Sequence, residues 1–353
     1  MSTSSTDQHP LPASVSPILR SSDRLGRLLR DLRISVTDRC NFRCAYCMPR
    51  QVFGASYPFL PKKELLSFEE ISRVTKVFTS AGVTKVRLTG GEPLLRADLE
   101  KLVGMLSENT QIADLALTTN GVLLAQKADA LMAAGLRRIT VSIDALNPVV
   151  FRQMSDSVID VETVLRGIES AQRSGFNPVR VNMVVRRGVN EQEVVPMAQY
   201  FSEVGCVLRF IEYMDVGTTN GWRLSEVVSA REILDVLDAE FGVDPLPQRQ
   251  GGDTAKRYRL RKTGGEIGVI ASVTEPFCRG CTRGRLTASG KLHTCLFGDS
   301  VLDVKALMRD GCSDAELFER ITDVWRTRVD RYSEQRFGLK DAPRKAEMSV
   351  LGG

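Results

Sequence analysis

The sequence predicts an α/β protein: a partial TIM-type barrel of six β–α units, (βα)6, followed by a smaller C-terminal domain. First, from about residue 32, short β-branched runs repeatedly end in polar or glycine residues, and an amphipathic helical pattern follows each. Second, the units are spaced almost regularly and lack a GxGxxG fingerprint, which favours a barrel over a doubly wound sheet. Third, the pattern changes near residue 220 to a stretch rich in Lys, Arg and Gly.

Each unit contributes one short strand and one helix. The predicted strands cover residues 32–36, 85–89, 114–119, 138–143, 179–185 and 207–213. A capping box, Ser67 with Glu70, marks the start of one helix. Glycines mark helix ends, at Gly82, Gly135, Gly175 and Gly205.

The predicted organisation has four parts. Residues 1–22 form a Ser- and Pro-rich flexible tail, and residues 23–220 form the barrel. Residues 221–340 form the second domain, and residues 341–353 form a tail that ends in two glycines. The first tail has no apolar run of signal-peptide length, so we expect a cytoplasmic protein. A transit peptide to the mitochondrial matrix is the alternative, and the scarcity of Arg disfavours it.

Composition narrows the chemistry. The chain has 353 residues, of which 42% are hydrophobic and 26% charged, and it shows no membrane span. The net charge of +5 is small, and Lys and Arg are interleaved with Asp and Glu, which argues against a nucleic-acid partner. The only histidines are His9 and His293, so serine–histidine catalysis, cysteine–histidine catalysis and His-rich zinc sites are disfavoured. Unusual chemistry must therefore come from the eight cysteines.

Three cysteines stand together in the stretch CNFRCAYC, which carries Cys40, Cys44 and Cys47. A structural zinc site almost always has four ligands, and disulfide frames belong to small secreted domains. Three thiolates instead suit an iron–sulfur cluster in which one iron has no protein ligand and is open to a substrate. We therefore predict such a cluster here, with a zinc knuckle as the alternative.

A second group of three, Cys278, Cys281 and Cys295, lies in the C-terminal domain. It indicates either an open cluster or a structural one with a fourth ligand from elsewhere. Cys206 begins an apolar strand and Cys312 approaches a helix, so we interpret both as ordinary thiols. A structural zinc protein or nucleic-acid binder is the alternative from another class, and metal analysis distinguishes it.

Several polar or glycine-containing segments follow predicted strands directly. In α/β barrels the loops at the carboxyl ends of strands carry the chemistry, so we expect these segments to converge on one site. They are the three-cysteine loop, GGEP at 90–93, TTN at 118–120, Ser142 with Asp144, and MDVG at 214–217.

These motifs carry a family resemblance. CNFRCAYC followed by GGEP resembles the radical S-adenosylmethionine (SAM) superfamily. The wider set of LRISVTDRCNFRCAYCMP, LTGGEPLLR, TTNG, VNMVV, RFIEYMDVG and a terminal Gly-Gly resembles the GTP 3′,8-cyclase family, which begins molybdenum cofactor biosynthesis. The resemblance covers nearly all of the chain after the first tail.

The resemblance implies two [4Fe–4S] clusters and SAM as cofactors. Cys40, Cys44 and Cys47 would hold a cluster whose open iron chelates SAM, and its reduction would yield methionine and a 5′-deoxyadenosyl radical. The family's SAM contacts fall on Tyr46, Gly91, Ser142 and Met214. Loop packing for Tyr46 and core packing for Met214 are the alternatives.

The implied substrate is GTP. The radical would take hydrogen from C3′, and the ribose radical would attack C8 to give 3′,8-cyclo-7,8-dihydro-GTP. A second open cluster at Cys278, Cys281 and Cys295 would bind the purine. The family's nucleotide contacts fall on Arg33, Arg87, Thr118, Arg180, Arg283, Gly284 and Arg285, with Arg209 a weaker match.

Some features stay open at this point. Arg180 stands where the family usually has lysine, which keeps the charge and changes the geometry. Gly352 and Gly353 either form a disordered end or reach into the site, as the resemblance implies. The expected partners are an electron donor, a downstream enzyme of cofactor biosynthesis and a second copy in a homodimer. A peptide maturase with an auxiliary cluster is the alternative within the superfamily.

Overall fold

The computed structural model describes residues 22–248, 254–338 and 345–352. Within them a single sheet of twelve strands runs in the order β12-β11-β10-β1-β2-β3-β4-β5-β6-β9-β8-β7. The strands are β1 Asp31–Ser35, β2 Lys85–Thr89, β3 Asp114–Thr119, β4 Arg138–Ser142, β5 Arg180–Val185, β6 Val207–Glu212, β7 Val243–Leu246, β8 Lys256–Leu260, β9 Glu266–Ile270, β10 Arg283–Leu286, β11 Lys291–His293 and β12 Leu302–Asp303.

Strands β1 to β6 are the six predicted strands, and each of their ends lies within one residue of its predicted position. All five pairings among them are parallel, as β–α repeats require. The partial barrel is therefore confirmed.

Residues beyond 220 extend this barrel. Strand β9 pairs in parallel with β6, and β10 pairs in parallel with β1, so both edges of the six-stranded unit continue into the C-terminal region. Antiparallel strands then finish the sheet on each side. No pattern in the sequence predicted these added strands. The domain boundaries stay a prediction, and residues 1–21 of the predicted first tail lie outside the described residues.

Helices cover the outside of the barrel. Three of them begin with capping boxes, at Ser67 with Glu70, Ser229 with Glu232 and Ser313 with Glu316, and the first is the predicted one. The helices are α1 Phe68–Ser80, α2 Leu99–Ser107, α3 Leu124–Ala133, α4 Pro148–Ser155, α5 Val161–Arg173, α6 Val194–Glu203, α7 Ala230–Phe241, α8 Val304–Arg309, α9 Asp314–Thr327, α10 Tyr332–Gln335 and α11 Met348–Leu351.

Alternation along the strands separates the core from the interior of the barrel. On β1, Leu32 and Ile34 are fully buried in the main hydrophobic core. Arg33 lies between them and lines the central cavity. Because successive side chains of a strand point to opposite faces, the same short strand supplies the outer core and the inner wall.

None of the helices in the described residues is both long and apolar enough to cross a membrane.

Candidate active site

A cavity of about 400 Å³ runs through the barrel. It reaches the carboxyl ends of the strands, where Thr119 and Ser142 lie, and the amino ends, where Lys85 and Arg138 lie. The described residues that line it include eleven Lys or Arg and five Asp or Glu. This volume and the excess of positive charge suit an organic anion such as a nucleotide.

The first cysteine group lies in the loop after β1, on the cavity wall. The carbonyl of Cys44 accepts hydrogen bonds from the backbone N–H groups of Cys47 and Met48, at 2.9 and 2.8 Å, which folds the loop into a tight turn. The backbone N–H of Phe42 lies 3.4 Å from Cys40 Sγ. Burial raises the pKa of all three thiols, that of Cys40 to about 11.

The GGEP segment packs against this loop. A side chain at Gly90 or Gly91 would collide with the backbone of Thr37 or Arg39, so only glycine allows so close an approach. Glu92 is buried and accepts hydrogen bonds from Thr119 Oγ1 and from the backbone N–H of Asn120, both at 2.7 Å. These bonds tie the segment after β2 to the carboxyl end of β3.

Glu92 and Asn120 belong to the surroundings of the Cys40 thiol. Burial raises the pKa of Glu92 to about 7, although three hydrogen bonds oppose the rise. Asn120 Nδ2 lies 3.9 Å from Cys40 Sγ, so an amide joins the surroundings of this sulfur. The sequence indicated that TTN lies near the site, and it did not identify Asn120 as a neighbour of the thiol.

The four residues predicted to contact SAM all line the cavity. Tyr46 donates a hydrogen bond of 2.8 Å to Asp144 Oδ2, and the backbone N–H of Val184 donates to Asp144 Oδ1 at 2.9 Å. Burial raises the pKa of Asp144 to about 6. Ser142 and Met214 lie on the wall near the carboxyl ends of β4 and β6. Their contacts with SAM stay predictions.

A row of arginines crosses the inner wall of the barrel. Arg33 pairs in register with Arg87 on one neighbouring strand and with Arg285 on the other. Burial lowers the pKa of all three, that of Arg33 to about 10, and repulsion between the guanidinium groups lowers it further. Close positive charges without a facing anion are unfavourable, so this row is built to receive negative charge.

The other predicted nucleotide contacts divide into two sets. Thr118, Arg180 and Arg283 line the cavity, and Thr118 accepts a hydrogen bond of 2.8 Å from Arg87. Gly284 does not line the cavity, because its Cα faces the side chains of Leu29, Leu32 and Leu292 on the outer side of β10. Because glycine has no side chain, a nucleotide contact by Gly284 would use its backbone, and it stays a prediction.

The second cysteine group lies at the amino ends of the strands. The carbonyl of Thr282, next to Cys281, accepts from the backbone N–H of Asp31 at the start of β1. The two groups therefore lie at opposite ends of β1, whose five residues span about 16 Å. Burial opposes ionisation of Cys281, but Arg283 and Arg328 lower its pKa to about 6.

The two groups fit [4Fe–4S] clusters better than single metal ions. In the described residues no three His, Cys, Asp or Glu side chains come close enough to hold one ion. All six thiols instead line the same cavity in two sets of three, a donor set that would hold a [4Fe–4S] cluster by three of its irons and leave the fourth iron free for another ligand. Cys206 and Cys312 do not line it, and their interpretation as ordinary thiols stays a prediction.

Some cavity residues were missed by the sequence analysis. Lys85 and Arg138 line the cavity near the amino ends of β2 and β4. The two-residue period gave a signal for Lys85, which precedes Arg87 by two positions and so shares its face.

Gly352 is buried, and its carbonyl accepts a hydrogen bond of 2.8 Å from Arg285 Nη1. The terminal Gly353 lies outside the described residues.

Comparison with known proteins agrees with this geometry. Residues 34–201 match the family described as the Radical SAM superfamily, and residues 206–334 match the family described as Molybdenum Cofactor Synthesis C. Fold and site therefore define a radical SAM enzyme, with SAM and [4Fe–4S] clusters as its cofactors, as predicted.

The relatives identify the family. A GTP 3′,8-cyclase of Acidothermus cellulolyticus is 54% identical over 339 residues, covering 94% of each chain. A GTP 3′,8-cyclase of Staphylococcus saprophyticus is 47% identical over 336 residues, covering 94% of this chain and 98% of that one. This chain belongs to the GTP 3′,8-cyclase family, which confirms the resemblance found in its motifs.

A solved structure supports the fold alone. The crystal structure of Streptococcus suis SuiB bound to S-adenosylmethionine superposes with a TM-score of 0.61 and 12% identity, covering 92% of this chain and 78% of that chain.

Proposed function

We propose that this protein converts GTP to 3′,8-cyclo-7,8-dihydro-GTP, the first step of molybdenum cofactor biosynthesis. The observation that carries the proposal is one cavity with a three-thiol group at each end and a row of arginines between them. When bound, the reduced cluster and SAM supply a 5′-deoxyadenosyl radical, which takes hydrogen from C3′ of GTP before that carbon attacks C8.

At the carboxyl ends of the strands the chain holds the cofactor. Cys40, Cys44 and Cys47 bind the SAM cluster, and Gly91 lets the backbone of its segment approach SAM closely. The remaining SAM contacts are made by Tyr46, Ser142 and Met214.

Between the thiol groups the chain holds the nucleotide. The triphosphate offsets the repulsion in the arginine row, and the guanidinium forks orient its oxygens. Cys278, Cys281 and Cys295 would hold the second cluster, which would supply an iron site for the purine in the same cavity. The proposed nucleotide contacts are Arg33, Arg87, Thr118, Arg180, Arg283, Arg285 and the backbone of Gly284.

The enclosure protects the reaction. A primary carbon radical reacts with almost any C–H bond within reach, so the substrate must be fixed and solvent excluded. A cavity inside a barrel whose edges are extended by β9 and β10 meets both needs. Arg180 provides the positive charge that the family usually takes from lysine.

Other partners are proposed from chemistry. Cleavage of SAM requires one electron, and the radical left after C3′ attacks C8 takes a second electron and a proton to give the dihydro product, so a one-electron donor must act twice in each turnover. The cyclic product requires a downstream enzyme that completes the pterin. We also propose a cytoplasmic location and a homodimer. Light scattering of the anaerobic, cluster-loaded protein tests the dimer, and a monomer mass would reject it.

The experiment is anaerobic turnover of the reduced, reconstituted protein with SAM and GTP deuterated at C3′. We expect deuterium in 5′-deoxyadenosine by mass spectrometry, and none when the label is at C2′. Unlabelled 5′-deoxyadenosine from the C3′ substrate would reject hydrogen abstraction at C3′. The absence of SAM cleavage in cluster-loaded protein would reject the role of the first cysteine group.

A further inference from the structure

A buried network of charged side chains lies behind the second cysteine group. The side chains of Asp23, Arg27 and Arg328 are at most 2% exposed, and that of Asp330 is 31% exposed. Asp23 Oδ2 lies 2.6 Å from Arg27 Nε and 3.5 Å from Arg328 Nη1, and Asp330 Oδ2 lies 3.2 Å from Arg328 Nε. Residues from the two ends of the described chain therefore meet in one network.

Both arginines hold the cysteine turn. Arg27 Nη1 donates to the carbonyl of Cys278 at 2.9 Å, and Arg328 Nη1 donates to the carbonyl of Cys281 at 2.9 Å. In addition, Arg328 Nη2 lies 3.3 Å from Cys281 Sγ, which is within hydrogen-bond distance of a sulfur. One guanidinium thus contacts both the backbone and the sulfur of Cys281.

The orientation of Arg328 is fixed on every side. The two carboxylates bind its Nε and Nη1, and its guanidinium lies 4.5 Å from the centre of the Trp325 ring. Trp325 in turn donates a hydrogen bond of 2.9 Å to the carbonyl of Arg27. Burying three charges is costly unless they are paired, and pairing alone offers little stability over an apolar core. The network also holds an N–H of Arg328 Nη2 against Cys281 Sγ, a contact that stability alone does not explain.

We propose that Arg328 is a positioning residue for the second cluster. Its guanidinium raises the reduction potential of that cluster and slows the loss of iron from it. Positive charge and an N–H bond at a ligating sulfur stabilise the reduced state, and partners of metal ligands hold them in place. Asp23 and Asp330 act through Arg328 by fixing its orientation. This inference rests on the proposed assignment of Cys278, Cys281 and Cys295 to a cluster.

The test isolates the second cluster within the full chain. Replacing Cys40, Cys44 and Cys47 together by alanine removes the first cluster and leaves one paramagnetic centre for a redox titration followed by electron paramagnetic resonance. Into this background we introduce Arg328→Met, Arg328→Lys and, as the matched control, Arg326→Met. Arg326 lies in the last turn of α9, two positions before Arg328, with its side chain 49% exposed and bound only to Asp323 among the contacts of the described residues.

We expect Arg328→Met to lower the midpoint potential and to release iron to a chelator about tenfold faster or more. Arg328→Lys keeps the charge and should recover part of both effects, whereas Arg326→Met should match the background. Circular dichroism and the thermal midpoint establish that each variant is folded, and Arg328→Lys decides the question if Arg328→Met does not fold.

Two results would overturn the proposal in different ways. A folded, iron-loaded Arg328 variant whose potential and iron release match those of the background would reject the role of Arg328 alone. Absence of iron from the three-alanine background would reject the second cluster itself, and the role of Arg328 with it.

Discussion

Arg33 and Arg285 lie side by side in the register of β1 and β10, although 252 positions separate them in the chain. Neighbouring strands are about 4.8 Å apart, so the half-buried side chain of Arg33 and the buried side chain of Arg285 line the cavity at close range. Such a pair is unfavourable in an empty barrel and favourable around a polyphosphate. The repulsion between the two guanidinium groups therefore destabilises the ligand-free protein, and binding of a polyphosphate removes it.

The substitution Arg33→Met tests this balance. We expect GTP binding to weaken about 10- to 100-fold, the loss of one charged hydrogen-bonding group. The ligand-free protein should unfold at the same or a higher temperature, since burial and Arg283 already lower the pKa of Arg33 to about 10. Anaerobic calorimetry and a thermal scan measure the two effects. Arg137→Met, at an exposed position, is the control, and lower stability without weaker binding would contradict the prediction.

Gly91→Ala tests the close approach of GGEP to the cysteine loop. A methyl group at position 91 collides with the carbonyl of Arg39. We therefore expect the free energy of unfolding to fall by about 1–3 kcal/mol and the first cluster to load poorly. Iron analysis should find about half the iron of the parent, with the second cluster retained. Gly104→Ala in α2, which meets no atom within 4 Å, should be neutral or stabilising. Full iron content in Gly91→Ala would refute the close approach.

Tyr46 offers a paired substitution. If its ring stacks on the adenine of SAM, Tyr46→Leu should weaken SAM binding by about 1–3 kcal/mol, and Tyr46→Phe should largely retain it. Tyr46→Phe still removes the 2.8 Å bond to Asp144, so it separates stacking from hydrogen bonding. Equilibrium binding of SAM to the cluster-loaded protein is the measurement. Equal losses in both variants would assign the role of Tyr46 to its hydroxyl instead.

The ionisation of Asp215 makes the anchoring of the loop that carries Met214 depend on pH. Its burial acts to raise its pKa, but hydrogen bonds from Lys345 and Tyr332 and the charge of Arg336 lower it below the ordinary value of 3.8. A carboxylate whose pKa is lowered by folding stabilises the folded state above its unfolded pKa, and this stability is lost as the pH falls through the folded pKa. The loop should therefore stay anchored at neutral pH and loosen below about pH 4.

Fluorescence of Trp222 reports on this loop, because its indole N–H donates to the carbonyl of Tyr213 at 2.8 Å. Subtracting the emission of a Trp222→Phe variant isolates its signal from that of Trp325, the other tryptophan. We expect a transition in acid that Asp215→Asn removes, with the loosened signal already present at neutral pH. Asp235→Asn, in an exposed ion pair, should behave as the parent protein. An unchanged acid transition in Asp215→Asn would exclude this carboxylate as its cause.

Much of the site was predictable because its signals are local. The CNFRCAYC loop and the GGEP turn each fit within a few residues, and the six barrel strands follow a two-residue period that is visible in the sequence. For Gly352 the sequence left two predictions open, a disordered end and an end that reaches into the site, and the structure places it against Arg285. A terminal glycine pair has no local signal that distinguishes a free end from a docked one.

The sequence by itself determined the six-unit barrel, the two sets of three thiols and the family. Only the tertiary structure decided that β10 lies beside β1, that the arginines form a row, and that Arg328 reaches Cys281. These contacts join positions tens to hundreds of residues apart, and an arginine in a lining strand has the same local pattern as one on the surface. Their identity depends on which segments are brought together by burial of the shared core, and that is settled only when the chain folds.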